Sequence, residues 1–307
     1  MSELRATRPH ELPLLAQLLD DVFRRSKGVL DQSQLTDFPL VYCPENLSNS
    51  RVIVEDTRIV SHAALWPRQL IVQSVDLKSA IICSVATFPE YRMRGYAATL
   101  MRSLQQTLVE ESYDIAILWT SVPDFYLKLG WQAVAPGGLL VTLDGSSIPS
   151  RDNGPTIVAY DESSHLDQLL AIHDHEPVRM QRTRDEYQKL FKLPKINVYT
   201  TVIDGRVQAY LAHGNACNKR GLIEYGGPAN DIMALAEHVA RDLDEPVDWT
   251  VFSTRQDLME RVLQSSLPHQ PLCASKGAGT EMILPLRDDV ITDSLLQNLF
   301  VWGLEWA

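Results

Sequence analysis

The stretch that most constrains the fold runs from Ser79 to Leu108, where an apolar run, a short cationic turn and an amphipathic pattern follow one another. The run SAIICSVAT, at residues 79–87, is rich in apolar and β-branched residues and predicts a buried strand. Downstream, Leu100, Leu104 and Leu108 recur at helical spacing and predict a helix with one buried face. A buried strand that leads through a turn into a helix predicts an α/β chain.

The turn between them, PEYRMRGYAA at residues 89–98, has the features of an anion site. The first amides of a helix lack intrahelical acceptors, and the helix dipole adds about half a positive charge there. Arg92 and Arg94 add cationic donors, and Gly95 lets the backbone turn without a Cβ beside an approaching ligand. The features suit a pyrophosphate, although an ordinary connection with surface arginines explains the turn as well when it is considered alone. The sequence matches neither a Walker loop nor a dinucleotide fingerprint.

The chain has 307 residues, which predicts two domains of ordinary size. A stretch rich in Gly, Ser, Pro, Asp and Asn, DGSSIPSRDNGP at residues 144–155, favours an exposed loop. We place the boundary there, with domains at residues 1–148 and 149–307. Both halves show a similar order of predicted strands and helices, which indicates a duplicated α/β (α+β) fold.

Composition narrows the classes of partner. The net charge is −11, and an acidic surface repels the phosphates of nucleic acids and anionic membranes. No apolar run reaches the roughly 18 to 20 residues that span a bilayer, and MSELRATRPHEL lacks the pattern of a signal peptide. The four cysteines are far apart and predict neither a disulfide framework nor a zinc site. We therefore expect a cytoplasmic protein without nucleic-acid or membrane partners, and homo-oligomerisation stays open.

Two motifs together resemble the GNAT acetyltransferases. The first is Arg92-x-x-Gly95-x-Ala97, directly after the predicted strand, and the second is DFYLKLGW at residues 124–131. GNAT enzymes carry a similar turn for the pyrophosphate of acetyl-CoA, followed by a Phe-Tyr-x-x-x-Gly-Phe-like segment. The resemblance covers most of residues 3–143.

The sequence is most similar to the Eis-like (enhanced intracellular survival) branch, in which an active N-terminal GNAT domain is joined to a degenerate second one. The similarity lies in VSH at 60–62, WPR at 66–68 and TFPEYR at 87–92. It implies two tandem GNAT-like domains, each with a mixed, mostly antiparallel central sheet flanked by helices. Longer members also carry a sterol-carrier-like domain, for which we expect no room in this chain. The second half has Gly226-Gly227-Pro228 without an arginine at the corresponding turn, so we expect only the first domain to bind acetyl-CoA.

The resemblance also implies the cofactor-binding residues, with acetyl-CoA as co-substrate and no metal. The pantetheine arm would lie against Val85, Ala86 and Thr87, where the strand diverges from the next one, at residues 114–119. The phosphates would lie on the backbone of the turn, namely Arg92, Met93, Arg94, Gly95, Tyr96, Ala97 and Ala98.

The resemblance implies that Tyr126 is the catalytic acid, whereas the residues alone, with Phe125 and Leu129 as apolar neighbours, favour a core tyrosine. A tyrosine has a reference pKa near 10 and keeps its proton at neutral pH, so it can protonate the leaving sulfur. The general base stays open between His62, a water molecule and the terminal carboxylate of Ala307, with Glu55 and Asp37 as weaker candidates. The run HDHE at residues 173–176 has no defined partner set, and we expect no metal there.

Together with the resemblance, these residues imply an N-acetyltransferase in which a primary amine of a small molecule attacks acetyl-CoA directly in a ternary complex. A peptide or protein lysine is the alternative acceptor. A catalytically silent acyl-CoA-binding protein is the alternative outside the enzyme class.

Overall fold

The computed structural model describes residues 2–30, 32–134, 137–148, 154–216, 219–272, 280–287, 289–292, 295–296, 299 and 303–304. Within them the strands are β1 Ser2–Ala6, β2 Ser50–Glu55, β3 Arg58–Val72, β4 Val75–Thr87, β5 Ile115–Thr120, β6 Gln132–Val134, β7 Gly138–Leu143, β8 Thr156–Ala159, β9 Val178–Met180, β10 Ile196–Ile203, β11 Arg206–Ala216, β12 Lys219–Gly226, β13 Val247–Phe252, β14 His269–Pro271 and β15 Thr280–Pro285. The helices are α1 Leu12–Phe23, α2 Gln34–Asp37, α3 Tyr96–Glu110, α4 Pro123–Leu127, α5 Glu162–His173, α6 Arg184–Leu190, α7 Ala229–Arg241 and α8 Gln256–Gln264. Among these helices, none is long and apolar enough to cross a membrane.

The chain divides into two compact units. Unit 1 comprises Met1–Leu70, Asp76–Val134 and Gly279–Thr292, and unit 2 comprises Ile71–Val75, Ala135–Ala278 and Asp293–Ala307. The sheet of unit 1 has the strand order β1-β2-β3-β4-β5-β15-β6. Its β4 and β5 run parallel, and antiparallel pairings join β1 to β2, β2 to β3, and β15 to both β5 and β6.

The sheet of unit 2 repeats this arrangement. Read from β8, its strand order is β8-β10-β11-β12-β13-β7-β14, with β12 and β13 parallel. Helix α7 connects the parallel pair β12 and β13, as α3 connects β4 and β5 in unit 1. The predicted fold class, two GNAT-like units with mixed, mostly antiparallel sheets and flanking helices, is confirmed.

The two halves of the chain exchange one strand each: β7 from the first half lies in the sheet of unit 2, and β15 from the second half lies in the sheet of unit 1. The sequence pattern predicts strand over residues 131–143 in the first domain, with an interruption near Pro136-Gly137-Gly138. The structure has β6 at Gln132–Val134, but it pairs β7 with β13 and β14 in unit 2. Conversely, β15 pairs along its whole length with β5 in unit 1. The predicted boundary at 148/149 therefore does not coincide with the division into units. Strand patterns reveal apolar faces but not partners, so a sequence pattern alone assigns each strand to the half of the chain that contains it.

Each unit has its own apolar core. In unit 1, α3 buries Leu100, Met101, Leu104 and Leu108 completely, which confirms the helical spacing in the sequence. Burying each such side chain contributes roughly 1.5–3 kcal/mol. This packing fixes α3 against the sheet, and its N-terminus therefore has a defined position at the end of β4.

Candidate active site

Strand β4 extends beyond the part that pairs with β5. Their register runs from Ser79↔Ile115 to Ile81↔Ile117, whereas β4 continues to Thr87. The predicted pantetheine residues lie in this extension, with Ala86 buried and Val85 and Thr87 half-buried. An extended segment beyond its paired part is the arrangement that the resemblance implied.

The extension begins at a distorted residue, because Ser84 has a φ of 49°. Such a value is uncommon for a residue other than glycine and reorients the backbone within a strand. Side chains of β3 hold the residues around it: His62 Nδ1 lies 2.9 Å from the Ser84 carbonyl oxygen, and Ser61 Oγ donates to the Ala86 carbonyl at 2.8 Å. Ser61 Oγ also lies 2.7 Å from Thr87 Oγ1. Nothing in the sequence around Ser84 signals this conformation.

The predicted pyrophosphate turn follows directly. Met93 and Gly95 both have positive φ, at 63° and 81°, and Gly95 is the N-cap of α3. The first hydrogen bond of the helix runs from the Thr99 amide to the Gly95 carbonyl at 3.0 Å. The predicted binding amides of Tyr96, Ala97 and Ala98 thus precede the first intrahelical bond, as an anion site at a helix N-terminus requires.

The cations of the turn already have partners within the chain. Arg94 Nη1 lies 3.3 Å from Glu55 Oε1, and the Tyr96 hydroxyl donates to Glu55 Oε2 at 2.6 Å. That hydrogen bond raises the pKa of Tyr96. Arg92 Nε donates to the Thr87 carbonyl at 3.3 Å. Glu55, a candidate base in the sequence, is therefore a counter-ion of the turn, which the sequence does not reveal because residues 55 and 94 are far apart in the chain.

Tyr126 lies on the short helix α4 and is 6% exposed. Its ring packs edge-on against Phe125 and Trp131, with centroid distances of 4.9 and 6.2 Å. Burial raises the pKa of Tyr126 to about 12, although a hydrogen bond with Thr120 acts in the opposite direction. Tyr126 is part of the apolar core of unit 1, and the half-buried Val85 packs against the same core.

The candidate bases in the described residues are all engaged elsewhere. His62 is fully buried, both ring nitrogens have partners, and burial lowers its pKa to about 4. Asp37 is ion-paired with Arg24. Ala307 lies outside the described residues. The identity of the base stays a prediction.

The corresponding turn in unit 2 contains a carboxylate. The Gly227 amide, next to the start of α7, donates to Glu176 Oε1 at 3.0 Å. Arg255 Nη1 lies 2.9 Å from Glu176 Oε2, and Arg255 Nη2 donates to the Gly227 carbonyl at 2.8 Å. Burial raises the pKa of Glu176, against the opposing effects of Arg255 and the Gly227 amide. A cavity of about 570 Å³ lies beside this ion pair. An internal carboxylate at this helix start supports the expectation that unit 2 does not bind acetyl-CoA.

The HDHE run is divided between two environments. His173 is buried, with Nδ1 3.0 Å from the Tyr210 hydroxyl and Nε2 3.1 Å from the Met180 carbonyl oxygen. His175 is exposed, and its Nδ1 lies 2.6 Å from the Ala171 carbonyl oxygen. The run therefore supplies hydrogen-bonding groups to unit 2, and its Glu176 is the member whose role the sequence does not reveal.

Comparisons with known proteins bear on the domain type and on the fold. A family model described as an acetyltransferase (GNAT) domain matches residues 3–134. A probable N-acyltransferase from Enterococcus faecalis has a TM-score of 0.70 and 15% identity, covering 93% of this chain and 72% of its own. A GCN5-related N-acetyltransferase from Anabaena variabilis has a TM-score of 0.67 and 15% identity, covering 94% and 73%.

Eis1 from Mycobacterium abscessus is also similar, with a TM-score of 0.59 and 11% identity, covering 93% of this chain and 74% of its own. The sequence matches none of the curated proteins with which it was compared. At these identities the solved structures show a shared fold, and the family model adds the domain type. Residues 3–134 of this chain therefore match the model of a GNAT acetyltransferase domain, and the chain shares its fold with the solved structures named above, Eis1 among them.

Proposed function

We propose that this chain is an acetyl-CoA-dependent N-acetyltransferase that transfers the acetyl group to a primary amine of a small molecule. One observation carries the proposal: the extension of β4 beyond its pairing with β5 leads, through the turn at residues 88–95, into α3, whose first amides have no intrahelical acceptor. A strand edge and a helix N-terminus in sequence suit a ligand with an amide-containing arm and a pyrophosphate.

In this proposal the pantetheine arm pairs with the backbone of residues 85–87, as a neighbouring strand would. The amides of residues 92–98 hold the phosphates. Arg94 exchanges Glu55 for phosphate oxygens, which is inexpensive because the Arg94 side chain is 48% exposed and surface ion pairs are weak. Acetyl-CoA thus binds at a turn whose backbone is already formed.

The reaction begins when the neutral amine attacks the thioester carbonyl carbon. A C–N bond forms, the C–S bond breaks, and the sulfur takes up a proton from Tyr126. A phenol with a pKa of about 12 is a weaker acid than a thiol of pKa about 8.5, so complete transfer to a free thiolate would be uphill by roughly 5 kcal/mol. We therefore expect Tyr126 to donate a hydrogen bond as charge develops on sulfur, with transfer coupled to its re-protonation by the proton that the amine loses.

The acceptor class rests on charge as well as on family. A net charge of −11 attracts cations, and a primary amine is protonated and cationic before it reacts. A lysine side chain carries the same group, so a peptide is the competing acceptor.

Calorimetry with acetyl-CoA and a CoA-release assay with an amine panel test the proposal. We expect acetyl-CoA binding, and turnover that is higher with small primary amines than with lysine peptides. Turnover with peptides alone would replace the acceptor. Tight acetyl-CoA binding without turnover on any amine would support the silent binding protein, and a chain that does not bind acetyl-CoA would refute the proposal.

A further inference from the structure

A line of buried hydrogen bonds crosses unit 1 from the end of β1 to β4. Thr7 Oγ1 lies 2.7 Å from Ser50 Oγ, and Ser50 Oγ lies 2.9 Å from His62 Nε2. His62 Nδ1 lies 2.9 Å from the carbonyl oxygen of Ser84. Thr7 is 5% exposed, and Ser50 and His62 are fully buried. We name this line, from Thr7 through Ser50 and His62 to Ser84, the polar line.

The chemistry of its last acceptor fixes the direction of every hydrogen bond in the polar line. A carbonyl oxygen only accepts, so His62 Nδ1 must carry the proton and donate to Ser84. In the neutral imidazole, Nε2 then accepts from the Ser50 hydroxyl, which leaves the Thr7 hydroxyl to donate to Ser50. Burial disfavours the charged imidazolium and keeps the ring neutral, and the Ser84 carbonyl selects the tautomer with the proton on Nδ1.

The polar line ends at the distorted residue of β4. The φ of 49° at Ser84 costs about 1–2 kcal/mol for a residue with a Cβ, so the surroundings must hold it. His62 binds the carbonyl of Ser84 itself, and its chain neighbour Ser61 binds the Ala86 carbonyl. Two consecutive side chains of β3 therefore hold the segment that leads into Val85.

We propose that His62 is a positioning residue: its hydrogen bond to the Ser84 carbonyl sets the orientation of the backbone at residues 85–87, on which the thioester arm lies. The inference rests on the proposed function only in its last clause, because the hydrogen bond and the distortion exist without a ligand. It also gives a role to a histidine that the sequence presents as a candidate base. A fully buried ring with both nitrogens bonded acts on the reaction through the strand that it holds.

A different explanation is that His62 only fills the core, where its ring lies 5.9 Å from the ring of Tyr42. Two substitutions separate the explanations. In His62→Asn, the side-chain amide nitrogen can take the place of Nδ1 and donate to Ser84. In His62→Gln, the amide reaches the place of Nε2 and loses the Ser84 bond, although glutamine fills more of the volume. Positioning predicts that Asn is the better replacement, and packing predicts that Gln is.

The test measures the acetyl-CoA Kd, KM for acetyl-CoA and for the amine, kcat and the melting temperature of both variants. Losing one hydrogen bond to a buried carbonyl predicts a Kd and KM for acetyl-CoA that are about tenfold higher in His62→Gln, with an unchanged KM for the amine. His62→Asn should stay within about threefold of the unmodified chain in both constants. Equal effects of the two variants on acetyl-CoA, or a better performance of Gln, would overturn the proposal.

Two further measurements keep the outcome decisive. Ser61→Ala removes the neighbouring hydroxyl and should also raise the Kd for acetyl-CoA, even if the histidine variants fold poorly. The amide resonances of residues 85–87, followed by NMR without ligand, should shift in His62→Gln and less in His62→Asn. If they shift in this way but the unmodified chain does not bind acetyl-CoA, the proposed function fails and the positioning role stands; if they do not shift, the positioning role is refuted.

Discussion

A fragment that ends at residue 148 lacks the strand that completes the sheet of unit 1. Strand β15 pairs with β5 over its full length and with β6 at Glu281, Met282 and Ile283, and it buries Met282 and Ile283 almost completely. Burial of these two side chains contributes roughly 3–6 kcal/mol together. With the lost hydrogen bonds of the strand at about 1 kcal/mol each, the deficit is comparable to the whole stability of a domain, about 5–15 kcal/mol. We expect the fragment 1–148 to be unfolded or aggregated.

The structure also provides the matched control. Val134 lies opposite Glu281 in the antiparallel pair, so a short Gly-Ser turn can join residues 2–134 to residues 280–287 as a hairpin. This fusion should show a cooperative transition in circular dichroism on heating or with urea, and the same fusion with Met282→Asp should not. Cooperative unfolding of the fragment 1–148 with the stability of the fusion would refute the reasoning.

Four smaller changes test the site. Tyr126→Phe should lower kcat by about 10²- to 10⁴-fold and leave the Kd of acetyl-CoA nearly unchanged; a large loss of affinity would contradict its role as acid. Gly95 has open space where a Cβ would lie but a φ of 81°, so Gly95→Val should weaken acetyl-CoA binding at least about tenfold and Gly95→Asn less, and retained affinity in the valine variant would count against the anion site. Glu55→Gln removes a competitor for Arg94 and should tighten binding about two- to fivefold at low salt, less at high salt; calorimetry that finds no change would exclude the competition. His62 has a folded pKa of about 4, below its usual 6.5, so the unfolded chain binds the proton more tightly and stability should fall as pH drops from 6.5 to 4, by up to about 3 kcal/mol; urea unfolding of His62→Asn should lack this loss.

The sequence predicts the local parts of the site better than its long-range contacts. Leu100, Leu104 and Leu108 carry the period of α3, and Gly95 marks its start, because both signals depend on neighbours in the chain. The positive φ of Ser84 arises from contacts with β3, and a serine in an apolar strand gives no sign of it. The sequence does not reveal which strands pair with each other for the same reason, because the partners are far apart in the chain.

The exchanged strands illustrate this limit in the fold. In β7, every second residue is apolar, and Leu139, Val141 and Leu143 form one apolar face. Such a face can pack into the core of either unit, so the sequence pattern does not show which sheet the strand joins. The sheet to which β7 belongs is decided by the strands with which it pairs, β13 and β14. Glu176 likewise stands among possible metal ligands in the sequence, whereas its partners in the fold are Gly227 and Arg255.

Because of the Glu176 carboxylate, the local stability of the two repeats should depend differently on the concentration of acetyl-CoA in the cell. The carboxylate beside the start of α7 belongs to a side chain of the protein itself and is therefore always present. In our proposal the start of α3 instead binds an anion from solution, the phosphates of acetyl-CoA. Binding to the folded state adds about 2.7 kcal/mol of stability when acetyl-CoA is at about 100 times its Kd. Amide hydrogen exchange should therefore slow around α3 as the acetyl-CoA concentration rises and stay constant at α7. One copy of the repeat would then have local stability that follows the supply of acetyl-CoA, and the other would be independent of it.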